Sequence, residues 1–187
     1  MKTKIVEVKV KGERYLMNKF TSTESMFNDT TDSKVIKTSK RAKKVYIPEE
    51  EAKRKEYRTK DGKFFIPSTQ FEATMYKAGS DFVMEGRKKY GQYLKGGVFI
   101  EQNEIPITPN KYEIFECPVV INRARVLSWR PMFKDWSCEF TINITDDMID
   151  TNVLKEILME AGKHKGVGDW RPKFGRFEVV EWKVKET

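Results

Sequence analysis

Apolar and charged residues alternate from Lys4 to Val10 (KIVEVKV), a period of two that predicts a half-buried β-strand. Residues 21–44 are rich in Ser, Thr, Asp and Lys with few apolar positions, and predict a loop. At 48–59 (PEEEAKRKEYRT) a proline at a helix start and acids in the first turn predict a short, highly charged helix. It has little apolar face, so tertiary support must hold it. The extended piece KFFIP at 63–67 precedes a helix at about 68–78. Phe71, Met75 and Ala78 lie along one face of that helix, Thr69 and Glu72 have capping-box spacing, and Gly79 is the expected stop.

Residues 80–97 are basic, aromatic and glycine-bearing. Strands are expected at 98–101 (VFIE), 118–127 (PVVINRARVL) and 136–144 (WSCEFTINI). The clearest helix is 146–161. Met148, Ile149, Val153, Leu154, Ile157, Leu158 and Ala161 form its apolar stripe, Asp146 or Asp147 caps it, and Gly162 ends it. The loop KHKGVGDWRPKFG then leads into a final strand at 176–184. Strand, long insertion, helix, strand, strand, helix, strand is the βαββαβ order of a ferredoxin-like α+β domain. Two helices would cover one face of its antiparallel sheet and leave the other free. The expectation is a single domain over residues 1–187 with a basic, partly mobile insertion at 20–62.

Charge sharpens this picture. The 187 residues carry 36 Lys and Arg against 28 Asp and Glu, a net +8, and the mean hydropathy is -0.65. Residues 34–63 alone hold 12 basic and 5 acidic side chains, a net +7. A concentrated basic stretch is the electrostatic footprint of phosphate contact, and equally of a solvated, soluble insertion. Two cysteines, Cys117 and Cys138, and one histidine, His164, cannot assemble a Cys/His zinc site in one chain. Neither a Walker GxxxxGK[ST] nor a Rossmann GxGxxG after a strand occurs, so no metal and no cofactor are expected. No apolar run approaches the length that crosses a bilayer, and MKTKIVEVKVKGERY lacks an apolar signal region. A cytoplasmic protein is expected.

The most distinctive stretch is GKHKGVGDWRPKFGRF at 162–177. Gly162, Gly166, Gly168 and Gly175 interleave with basic side chains and two aromatics, Trp170 and Phe174. Glycines allow close backbone approach to phosphate, arginines supply forked donors, and aromatic rings stack on bases. The same stretch also reads as a helix-to-strand connection with both aromatics folded into the core. A glycine-rich loop before the last strand of a βαββαβ domain resembles the RAMP superfamily, the RNA-binding proteins of CRISPR systems. The segment IPSTQFEATMYKAG at 66–79 is similar to that superfamily's helix start through Ile66, Pro67 and Ser68. It departs from the superfamily pattern in having Ser68 in place of a glycine and Glu72-Ala73 in place of Lys-Gly. A second resemblance is to a group of proteins encoded in phages, prophages and related mobile elements. Its motifs are matched by Leu16-Met17-Asn18, by Tyr57, Arg58, Asp61, Gly62 and Lys63, by Arg130-Pro131, Phe133 and Trp136, and by the run from Gly166 to Val179. These resemblances imply a RAMP-like fold, with the insertion at 20–62 placed like the thumb that RAMP backbone subunits lay over a guide strand. They imply no particular reaction.

The expected function is non-catalytic binding of single-stranded RNA or DNA. Lys163, Lys165, Arg171, Lys173 and Arg176 are the first candidates for phosphate contact. Arg123 and Arg125 come second, because strand period puts them on one face. If that face is covered, they are expected to pair with a carboxylate such as Glu139. Lys40, Arg41, Lys43 and Lys44 would add non-specific affinity. The alternatives are a metal-independent endoribonuclease using His164 as general acid or base, and an interaction protein that mimics a CRISPR subunit. RAMP-type subunits often stack along a strand, so homo-oligomerisation fits the same reading.

Overall fold

The computed structural model describes residues 3–19, 47–121 and 124–186. Lys40, Arg41, Lys43, Lys44 and Arg123 lie outside the described residues. In chain order the elements are β1 (Lys4–Leu16), α1 (Pro48–Arg54), β2 (Phe65–Pro67), α2 (Ser68–Gly79), β3 (Val83–Glu85), β4 (Lys88–Lys89), α3 (Tyr90–Gly97), β5 (Val98–Ile100), β6 (Glu104–Pro106), β7 (Glu113–Ile121), β8 (Ala124–Ile144), α4 (Thr151–Glu160) and β9 (Glu178–Glu186). The main sheet has the order β5-β8-β1-β9, with β7 also pairing β8, and every pairing in it is antiparallel. Two small pairs, β2-β6 and β3-β4, stand apart from it. The described chain is thus α+β, with antiparallel sheets and four α-helices, compatible with a ferredoxin-like or RAMP-like fold.

The long strand β8 organises the sheet. Its C-terminal half pairs β1 from Leu16↔Met132 to Lys4↔Ile144, and its N-terminal half pairs β7 from Glu113↔Met132 to Ile121↔Ala124. The hairpin of β7 and β8 therefore runs on past the end of β1. This corrects the expected strands at 118–127 and 136–144. Residues 118–121 belong to one strand, and 124–144 form a single strand of 21 residues. The apolar alternation is weak where the hairpin has few core neighbours, so sequence period misses the reversal.

The main core lies between the sheet and α2 and α4. Val6, Val8 and Val10 of β1 and Cys138, Phe140, Ile142 and Ile144 of β8 are buried there with Phe71, Met75, Leu154, Ile157 and Leu158. Phe71 sits 4.8 Å from Phe140 and 5.4 Å from Phe177. Asp135 takes a left-handed φ of 47°, and the alternation changes phase there. Trp136 and Phe133, three residues apart, both join the main core. Leu16 and Met132 instead form a separate small cluster with Phe174, backed by Phe115.

Several local expectations are revised. The helix expected at 48–59 ends at Arg54. No side-chain cap forms at the start of α2, because the N-cap position is Pro67, which has no side-chain acceptor, and Thr69 lies inside the helix; Glu72 accepts instead from the Ile100 amide (3.0 Å). The last long helix is capped by Asp150 rather than Asp146 or Asp147. The Asp150 carboxylate accepts from the amides of Asn152 (2.6 Å) and Val153 (3.3 Å). Met148 therefore precedes the helix and is exposed. Gly162 does not end the helix. A π-helical turn, Ala161–Lys165, continues it until Gly166, whose φ of 70° stops it. Both cysteines are buried and free.

Candidate nucleic-acid interface

The glycine-rich stretch leaves α4 and lies along the free edge of β1 beyond β9. The amide of Gly175 donates to Arg14 O (2.7 Å) and that of Asp169 to Leu16 O (2.9 Å). Val167 closes the loop on itself, donating to Gly175 O (2.9 Å). From the helix side, Thr74 donates its hydroxyl to Gly166 O (2.8 Å), and Gln70 accepts from the Gly168 amide (2.9 Å) and the Tyr15 hydroxyl (3.2 Å). Burial pushes the Tyr15 hydroxyl well above the usual tyrosine range.

The glycines answer to this packing. A Cβ on Gly175 would stand 1.6 Å from Val167 O, and one on Gly168 would stand 2.4 Å from the Tyr15 ring. Both have a left-handed φ, 78° and 79°. The amides of residues 166, 167, 168, 169, 174, 175 and 177 all donate within the protein. Any phosphate contact from this loop therefore falls to its side chains, to the turn at 170–173 and to the Arg176 amide.

One ion pair anchors that turn from below. Arg130 of β8 meets Asp169 at 2.5 Å, with Asn18 at 3.5 Å from the same carboxylate oxygen. The Arg130 side chain is only 14% exposed, so Asp169 serves as its counter-charge and offers little negative charge to a ligand. Above the pair, Trp170 packs on Phe174 (5.8 Å) and Phe115 (6.4 Å). Phe174 is buried and Trp170 stays exposed, so the alternative reading, with both aromatics folded into the core, holds for Phe174 alone.

The predicted cations separate into two groups. Lys163, Arg171, Lys173 and Arg176 are exposed and have no carboxylate partner among the described residues. Lys173 lies 5.2 Å from the Trp170 ring, and Arg176 Nε donates to Pro172 O (3.0 Å). Lys165 is paired with Asp81 at 3.1 Å. His164 is exposed in the π-helical turn, 3.6 Å from Glu160. Arg14, absent from the sequence-based candidates, adds a guanidinium 5.5 Å from the Phe174 ring. Continuing the strand period beyond Val10 would have brought it to notice.

Arg125 is exposed near the start of β8, opposite Val120 in the register. Glu139, its anticipated partner, lies near the other end of the same strand and pairs with Lys9 at 2.8 Å. That pair belongs to the sheet face opposite the helices, which no described element covers. Lys183 meets Glu181 there at 2.7 Å, and Lys185 meets Glu7. These groups line or border a shallow depression of about 330 Å³. The hydrogen bond to Glu139 raises the Lys9 pKa, and that to Glu181 raises the Lys183 pKa. Three lysines and three glutamates thus neutralise one another on this face. The free face was expected to offer Arg123 and Arg125 to a ligand; here strand register sets Glu139 beside Lys9, alternation along β9 sets Glu181 beside Lys183, and Glu7 reaches Lys185 diagonally.

On the far side of β8, Glu56 accepts from the Tyr112 hydroxyl (2.6 Å) and pairs with Arg58 (3.1 Å). Burial, then the hydrogen bond to Glu56, pushes the Tyr112 hydroxyl up to about 12. This cluster fixes the segment after α1 against the segment before β7. No group of three or more His, Cys, Asp or Glu side chains among the described residues is placed to hold a metal ion. No helix among the described residues is long and apolar enough to cross a membrane.

No family model and no curated protein matches the sequence. The fold is similar to that of a chain in the cryo-EM structure of the Type III-B Cmr-beta bound to cognate target RNA. The TM-score is 0.61 at 11% identity, over 99% of this chain and 61% of that one. This chain therefore spans about three fifths of the length of that neighbour. The likeness supports a RAMP-like fold. The resemblance to proteins of phages and mobile elements rests on its motifs alone.

Proposed function

We propose that this protein binds single-stranded nucleic acid without cleaving it, and that RNA is the first ligand to test. The reading rests on one observation. Lys163 in the π-helical turn and Arg171, Lys173 and Arg176 in the loop after it are exposed, with no carboxylate partner among the described residues. Such unpaired cations are available to phosphate, whereas paired ones must first be released from their acids. Fold likeness adds support of a general kind, since the Cmr-beta structure is one bound to target RNA. The order β1, α2, β5 with β7, β8, α4, β9 supports reading the chain as βαββαβ, with the segment between β1 and β2 as its basic insertion. Origin in a phage or mobile element, and a cytoplasmic site of action, belong to the same proposal.

The test is fluorescence anisotropy with labelled single-stranded RNA, single-stranded DNA and duplex across a salt series, followed by a denaturing gel. The expected result is salt-dependent binding of intact strands. Replacing Arg171 and Arg176 together by Ala should lower the slope of log K against log salt by about 1.4, the value for two single-strand phosphate contacts. A folded double variant that binds like wild type would remove the loop from the interface. Cleaved RNA, with cleavage lost in His164→Ala, would replace this reading by the ribonuclease. Absence of binding at low salt would favour a protein partner.

A further inference from the structure

We propose that Trp170 is a base-stacking platform, on which one unstacked nucleobase lies while the Lys173 ammonium moves from the indole ring to the neighbouring phosphate. This rests on the nucleic-acid reading above and names the residue that reads the base. The first ground is backbone conformation. Trp170 holds φ at 55°, a region costly for a bulky side chain that persists only where its surroundings over-determine it. Here the amide of Phe174 donates to Trp170 O (3.3 Å), and the neighbouring Asp169 is locked to Arg130 and to the β1 backbone.

Exposure is the second ground. The strained backbone does not serve to bury the ring, because Trp170 remains 43% exposed while Trp136 is 0% exposed. The inner side of the ring rests on Phe174 and Phe115, which in turn sit on Leu16 and Met132. A ring held this way has few conformations left to lose when a base stacks on it. The third ground is charge. Lys173 already occupies a cation site 5.2 Å from the indole centroid, and Arg171 and Arg176 flank it in sequence without acidic partners among the described residues. Arg14 approaches the Phe174 ring below. An apolar ring rimmed by unpaired cations fits an anionic chain that carries flat aromatic groups. A base within a duplex is already stacked on both sides, so the platform selects single strands.

The experiment uses the full chain and two labelled probes, an oligo(A) strand and an abasic strand of equal length. Trp170→Ala should weaken oligo(A) binding about tenfold, within the range measured for one stacked base, and leave abasic binding and the salt slope unchanged. Trp170→Phe should recover most of the loss. Trp170→Leu, which keeps an apolar cover over Phe115 and Phe174 but has no ring, should behave like Ala while preserving the melting temperature. Equal losses on both probes, or wild-type affinity in a folded Trp170→Leu, would overturn the platform and leave the binding reading standing. Failure of the wild type to bind either probe would overturn both.

Discussion

Two surfaces of this molecule carry many charged side chains, and they differ in what those charges face. On the uncovered side of the sheet, Lys9, Lys183 and Lys185 stand beside Glu139, Glu181 and Glu7 on paired or alternate strand positions. On the glycine-rich loop, the only acid in the turn is Asp169, and Arg130 engages it from beneath. Lysines are plentiful on both. Exposed ion pairs contribute little to stability, yet they occupy the donors that a phosphate would need. A basic composition therefore becomes a candidate binding surface only where the fold separates cations from carboxylates. The loop does so by turning Asp169 inward and Arg171, Lys173 and Arg176 outward.

The strongest way to break this contrast is to remove the loop's shape. Gly175→Ala should destabilise the protein by about 3 kcal/mol, the combined cost of a left-handed alanine and an overpacked contact. The contact is that with Val167 O, and urea denaturation would measure the loss. Binding should fall with it. If the variant is as stable as wild type, the loop is not held by the backbone contacts described. Asp169→Ala is the next largest. It leaves the Arg130 guanidinium, 14% exposed, without its carboxylate, and should cost about 2 kcal/mol. A change below a few tenths of a kcal/mol would show that water satisfies Arg130 instead. The smallest effect is expected on the sheet face. Replacing Lys9 and Lys183 together by Ala should leave strand affinity and salt slope unchanged, because both lysines are held by glutamates in the free protein. A slope reduced as much as by the Arg171 and Arg176 variants would extend the interface to the sheet and end the distinction.

Much of the fold is legible along the chain. The alternation at Lys4–Val10 and the stripe through Leu154, Ile157 and Leu158 mark β1 and α4, since each buries one face against a continuous core. Element limits are less so. Asp150 caps α4 because its carboxylate reaches two free amides, while Asp146 serves a preceding turn by accepting from the Met148 amide (2.9 Å). Both acids look alike in sequence. The hairpin of β7 and β8 is hidden for another reason. Its strands lie partly beyond the sheet, and side chains such as Leu127 and Ile114 are exposed there, so no strict period is imposed.

The candidate site divides in the same way. Reading along the chain is enough to place a loop rich in glycine, cations and aromatics before the last strand, and to count more positive than negative charge. These are properties of local composition and short spacing. What the glycines are for emerges from the packed fold, since the atoms they avoid, Tyr15 and Leu16 O among them, are remote in sequence. The packed fold also sets which charges stay unpaired. Asp169 meets Arg130, Lys165 meets Asp81 and Lys9 meets Glu139 through strand register and loop packing, contacts that no spacing along the chain encodes. Coulomb attraction acts over a few ångströms in space, and chain folding alone sets which side chains come that close.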